Sequence, residues 1–94
     1  MSAETNAPGN ARIKSVETFN AELPRAPAVV IVPTYNEREN IERLLPVLAS
    51  LAVPVDILVA DDGSPDGTAD AVASAAARLG RRVMLMRRAG KFGL

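Results

Sequence analysis

Two short polar runs carry the residue types and spacing from which chemistry could be built: Pro33-Thr34-Tyr35-Asn36-Glu37 and Asp61-Asp62-Gly63-Ser64-Pro65-Asp66-Gly67. In the first, Pro33 fixes its own φ and cannot donate to a sheet ladder, so it is expected to end a strand and hold Thr34, Tyr35 and Asn36 in a turn. The Tyr35 ring can then lie against a planar base. Glu37 is an acceptor placed for ribose hydroxyls, although a carboxylate in the first turn of a helix also complements the helix dipole. In the second run, adjacent carboxylates on an extended chain point to opposite sides. One of Asp61 and Asp62 is therefore expected to face a ligand cleft and the other to tie down the turn. Gly63, Ser64, Pro65, Asp66 and Gly67 are turn formers, and taken alone they read as a strand-to-helix connection.

Composition narrows the chemistry further. The 94 residues include no cysteine and no histidine. Disulfides, thiolate metal sites and histidine acid/base or metal chemistry are thereby excluded, which leaves carboxylates and basic side chains. Eleven basic and eleven acidic residues cancel, so no overall charge favours nucleic acid or an anionic membrane surface. No apolar run approaches the ~20 residues that span a bilayer. A cytoplasmic location is expected, and 48% hydrophobic content supports one small domain.

Both polar runs must be positioned by regular elements. Residues 1–27, with Pro8, Gly9, Pro24 and Pro27, read as a flexible leader, with a short helix over Ala11 to Phe19 as the alternative. From Ala28 the pattern is strand, helix, strand, helix, strand. Strand one is expected at 28–32 and strand two at 55–60, each feeding one polar run. Ile41, Leu44, Leu45, Leu48 and Leu51 form a helical stripe. Asn36 and Glu39 resemble a capping box, and Pro46 is expected to bend or divide that helix. Thr68 is expected to cap a second helix running to Leu79, with Ala69, Val72, Ala73 and Ala76 inside and Gly80 as its stop. Val83 to Met86 forms the third strand, followed by Arg87 and Arg88, read as solvated or packing residues. The fold class is α/β, with about three parallel strands and two helices joined by right-handed crossovers. Ligands of such sheets bind beyond the carboxyl ends of the strands, where both polar runs fall.

The order of these motifs resembles the family 2 glycosyltransferases with the nucleotide-sugar GT-A fold. More narrowly, Val32 to Ile41, Val59 to Thr68 and the tail Arg88-Ala89-Gly90-Lys91-Phe92-Gly93-Leu94 look like the dolichyl- or polyprenyl-phosphate mannosyltransferases. The resemblance implies a GDP-mannose donor, with Pro33, Tyr35, Glu37, Ala60 and Asp62 holding base and ribose and Lys91 approaching the diphosphate. Asp61, Gly63, Asp66 and Gly67 are left as turn residues. It also implies a polyprenyl-phosphate acceptor, membrane association through other parts or a partner subunit, and Mg²⁺ or Mn²⁺ in the full-length enzyme. The family's later Asp-x-Asp metal motif has no counterpart, because no Asp or Glu follows Asp70. No catalytic residue is identified, and the chain is expected to be the nucleotide-binding part of such an enzyme, inactive alone.

Three other readings stay open on sequence. A different family 2 transferase would use another nucleotide sugar. A receiver-type module would use Asp61 and Asp62 as an acidic Mg²⁺ pocket, and a non-functional fragment would expose unpaired sheet edges. A dinucleotide-binding domain is weaker, since the turn after strand one lacks Gly-x-Gly-x-x-Gly.

Overall fold

The β-branched runs ahead of each polar run become the central strands, and the three- and four-residue apolar spacings become the helices. A computed structural model describes residues 13–89. The elements are β1 (Ile13–Phe19), β2 (Val29–Thr34), α1 (Arg38–Ala49), β3 (Asp56–Asp61), α2 (Thr68–Ala76) and β4 (Val83–Arg88). They form one sheet in the order β1-β4-β3-β2. The β2–β3 and β3–β4 pairs are parallel, and β1 runs antiparallel to β4.

The strand at Ile13–Phe19 corrects the expectation of a leader or a helix there; residues 1–12 lie outside the described residues. Among the described residues the sheet has four strands and is mixed, because β1 covers an edge of β4 that would otherwise present unpaired backbone groups. Its C-terminal end is tied down by Asn20, whose side-chain amide donates to the carbonyls of Ala76 (3.0 Å) and Arg81 (2.7 Å). Arg82 Nη2 donates to the carbonyls of Ala21 and Leu23, holding the following turn.

One face of the sheet makes the core. Ile57 and Val83 are paired, as are Val59 and Leu85, and these four side chains meet Ile41 and Leu45 from α1 and Val72 and Ala76 from α2. Both helices therefore cover the same face, as two right-handed crossovers in the same direction require. Complete burial of each Ile, Leu or Val in this layer contributes about 1.5–3 kcal/mol. The opposite face presents Val29, Ile31 and Pro33 from β2 and Leu58 and Ala60 from β3. Val29 and Ile31 are exposed there, and no helix covers that face among the described residues. No described helix is long and apolar enough to cross a membrane.

Two details differ from expectation. β2 continues through Pro33 to Thr34, because the Ala28 and Thr34 carbonyls accept from β3 while alternation turns residue 33 to the free edge, where no N–H is required. Helix α1 is not divided at Pro46: the single lost bond is to the exposed Glu42 carbonyl, close to the helix end.

Candidate functional site

The carboxyl ends of β2 and β3 lie side by side, with Pro33 paired to Ala60 and Thr34 to Asp61. Ala60 and Asp61 are in turn paired with Met86 and Arg87 of β4. The pleat sorts these rows to opposite faces. Thr34, Asp61 and Arg87 share the helix-covered face. Pro33, Ala60 and Met86 share the other; at the edge of that face Arg88 lies beside Asp62, and Tyr35 follows β2 in a bend.

Asp61 is 2% exposed and serves the framework. Its Oδ1 accepts from the Thr34 hydroxyl at 2.7 Å and the Ser64 hydroxyl at 2.6 Å, and its Oδ2 accepts from the Ser64 amide at 3.0 Å. One carboxylate thus fastens the end of β2 to the turn after β3. Arg87 lies on the same side and pairs with Glu17 at 3.1 Å and Asp70 at 3.5 Å.

The second loop also caps the first helix. The amides of Asn36, Glu37 and Arg38 donate to Ser64 Oγ (2.8 Å), Thr68 Oγ1 (3.1 Å) and Asp66 Oδ2 (3.2 Å). This replaces the expected capping box. Asn36 adopts a left-handed backbone (φ 55°), Glu37 is the N-cap residue, and its side chain makes no cap bond. Thr68 likewise is the first residue of α2 rather than its cap. Its hydroxyl and its amide both donate to Asp66 Oδ1, and Asp66 caps from two residues upstream. The Thr68 hydroxyl, followed by the backbone amides of Arg38 and Thr68, holds the Asp66 carboxyl below its ordinary value. Gly67 makes this turn at φ 85°, where a Cβ would stand 3.3 Å from Arg38 Nη1.

Asp62 faces away from this network. Its amide donates to the Thr34 carbonyl at 3.0 Å, extending the β2–β3 ladder by one step. Its side chain, 16% exposed, lies beside that of Arg88, 31% exposed, with Arg88 Nε 2.6 Å from Asp62 Oδ1. The Nε–H is not aimed at this oxygen, so both atoms are buried in charge contact without a hydrogen bond. Arg88, read as a solvated or packing residue, packs against Asp62. Only the strand register could have revealed this, since it sets Arg88 beside Asp62.

Of the expected ligand residues, Pro33 and Ala60 are paired and Asp62 follows them on one ledge, with Tyr35, 41% exposed, in the adjoining bend and Ala60 buried. Glu37 stands apart at the entry to α1, lining a concavity of about 360 Å³ with Asn36, Arg38, Glu39, Asn40 and Asp66. Lys91 lies outside the described residues. A concavity of about 460 Å³ lies between α1 and α2, away from the ledge. The ledge has the stronger claim, because it sets a carboxylate beside a guanidinium at the carboxyl edge of a parallel sheet, next to the bend that carries Tyr35. Among the described residues no three carboxylates converge. Asp61 and Asp62 take opposite faces and already hold other partners, so these residues do not fit a divalent cation. The same divergence removes the acidic pocket that a receiver-type reading needs.

Residues 29–94 match the family model described as Glycosyl transferase family 2. The chain belongs to the family 2 glycosyltransferases. It is 44% identical over 71 residues to a polyprenol monophosphomannose synthase from Mycolicibacterium smegmatis, a match covering 76% of this chain and 27% of that protein. An undecaprenyl-phosphate mannosyltransferase from Micrococcus luteus is 48% identical over 42 residues, covering 45% of this chain and 17% of the relative. An undecaprenyl-phosphate 4-deoxy-4-formamido-L-arabinose transferase from Serratia proteamaculans is 37% identical over 59 residues, 58% of this chain and 18% of the relative. The chain thus spans about a quarter, or less, of the length of these relatives. No solved structure shows a significant match.

Proposed function

We propose that this chain carries the nucleotide-binding part of a transferase that moves mannose from GDP-mannose to a polyprenyl phosphate. The observation that carries the donor half is the pairing of Pro33 with Ala60 at the carboxyl ends of β2 and β3, from which Tyr35 and Asp62 each follow by two residues. The acceptor half is supported by the relatives, whose names include polyprenol and undecaprenyl phosphate.

Each residue then has a defined task. The Tyr35 ring offers a face to the base, and such stacking contributes about 1–3 kcal/mol. The Asp62 carboxylate accepts from N–H groups on the base edge. Glu37, exposed beside the α1 entry, accepts from ribose hydroxyls, and Lys91 approaches the diphosphate, where an ammonium offsets phosphate charge. In the transfer, an oxygen of the lipid phosphate bonds to the anomeric carbon as the bond to the departing GDP breaks. The attacking phosphate is already anionic and needs little base assistance, so these residues bind and orient the donor rather than move protons. A divalent cation finds no ligand set among the described residues, and the tasks assigned to them do not depend on one.

Calorimetric titration of GDP, GDP-mannose, UDP and ADP into the chain, with Asp62→Ala as control, tests this reading. Guanine-selective binding that the variant loses supports it. Binding that favours UDP moves the assignment to another nucleotide sugar, a direction that the relative transferring a modified arabinose keeps in view.

A further inference from the structure

The close pair of Arg88 and Asp62 is the feature of the ledge that the fold's framework does not explain. Asp61 fastens the turn, Asp66 caps the helices and Arg87 joins β4 to β1 and α2. Arg88, the last residue of β4, and Asp62, the residue after β3, meet at the ends of two neighbouring strands already joined by their backbone ladder. Their nearest atoms are 2.6 Å apart and buried, yet neither has a hydrogen bond. Native proteins rarely leave buried polar atoms unsatisfied, and such atoms call for an explanation. Tyr35, 41% exposed, directly follows Thr34, whose carbonyl accepts from the Asp62 amide. The pair is neutral overall, so a base laid over it meets a donor beside an acceptor rather than a bare charge.

We propose that Arg88 is a specificity-determining residue of the nucleotide site, presenting a donor beside the Asp62 acceptor so that the two together read the oxo-and-N–H edge of guanine. The proposal rests on the ledge being the donor-nucleotide site. Guanine presents a carbonyl oxygen, then a ring N–H, then an exocyclic amine along one edge. Arg88 donates to the oxygen, and the Asp62 carboxylate accepts from the two nitrogens. Hypoxanthine keeps the oxygen and the ring N–H but lacks the amine. Adenine replaces the oxygen with an amine and the ring N–H with a bare nitrogen, so neither group of the pair meets its complement in the same order. The diphosphate is common to all three nucleotides and cancels in a comparison among them.

The test is calorimetric titration of GDP, IDP and ADP into the wild-type chain, Arg88→Ala and Arg88→Lys, with circular dichroism confirming that each variant is folded. The expected wild-type order is GDP, then IDP, then ADP. Arg88→Ala weakens GDP and IDP about tenfold and changes ADP by less than about twofold, while Arg88→Lys, which keeps one donor, recovers part of the GDP affinity. Should Arg88→Ala fail to fold, the lysine variant carries the same comparison, with a larger loss for GDP than for ADP. Equal losses for all three nucleotides overturn the proposal, since they mark a contact to phosphate or a purely structural role, and so does unchanged GDP affinity. A folded wild-type chain that binds none of the three overturns the donor-site reading itself. Wild-type GDP binding that is indifferent to Arg88 overturns the role of Arg88 alone.

Discussion

Adjacent aspartates with opposite tasks give the sharpest mutational contrast in this chain. Asp61→Ala strands three donors: the Thr34 hydroxyl, the Ser64 hydroxyl and the Ser64 amide. Thr34 is 3% exposed and cannot turn to water, whereas Ser64 is half-buried and rehydrates in part. With about 1–3 kcal/mol for the stranded threonine and about 0.5–1.5 kcal/mol for each serine contact, the variant loses about 2–6 kcal/mol. That is a large share of the ~5–15 kcal/mol that stabilises an ordinary domain. Asp61→Asn keeps one acceptor and loses about half as much. Thr34→Val costs about 1 kcal/mol in the wild type and close to nothing once Asp61 is alanine, because the shared bond is already gone. Asp62→Ala costs less than about 1 kcal/mol, since Asp62 Oδ1 holds no hydrogen bond and its partner Arg88 keeps 31% exposure. Urea denaturation followed by circular dichroism measures all of these. The reasoning is refuted if Asp61→Ala stays within about 0.5 kcal/mol of wild type, or if Asp62→Ala costs as much as Asp61→Ala.

Other expectations follow from the same framework. The folded Asp66 carboxyl lies below its ordinary 3.8, so its contribution is present above that pH and is lost as pH falls through the folded value. The melting-temperature gap between wild type and Asp66→Asn should therefore narrow on acidification below 3.8, and a gap that stays constant there contradicts the assignment. Gly67→Ala forces a left-handed backbone on an L-residue at φ 85° and should cost about 1–2 kcal/mol in thermal unfolding; no loss means that the turn relaxes to another conformation. Asn20→Asp should destabilise more than Asn20→Ala, because it places an acceptor against the Ala76 and Arg81 carbonyls. Equal melting temperatures for the two would deny Asn20 its donor role.

Much of this arrangement was legible in the residues. The apolar runs before Pro33 and Asp61 marked β2 and β3, the three- and four-residue spacing marked α1, and the period-two rule foretold that Asp61 and Asp62 would part. β1 was not legible, because Lys14, Ser15 and Glu17 break its apolar alternation and the Ile13, Val16, Phe19 spacing imitates a helix. Its strand state comes from the free edge of β4, a tertiary influence that local propensity does not contain. The caps were misplaced for a related reason: Asn36 and Thr68 have good capping chemistry, but Ser64 and Asp66 from the loop and Thr68 from the start of α2 reach the α1 amides from 28 to 31 residues away in sequence. Arg88 was hidden in the same way. Its place beside Asp62 depends on the β3–β4 register, which pairs Asp61 with Arg87.

The central claim is that the ledge beyond Pro33 and Ala60 receives a guanine nucleotide. Amide chemical-shift mapping of GDP onto the isotopically labelled chain tests it most directly. The account expects saturable shifts concentrated at Tyr35, Ala60, Asp62 and Arg88, with the buried helix-face residues Val59 and Leu85 little changed. Shifts confined to the groove between α1 and α2, around Arg38, Asp70 and Arg78, or no shifts at saturating GDP in a folded chain, would contradict it.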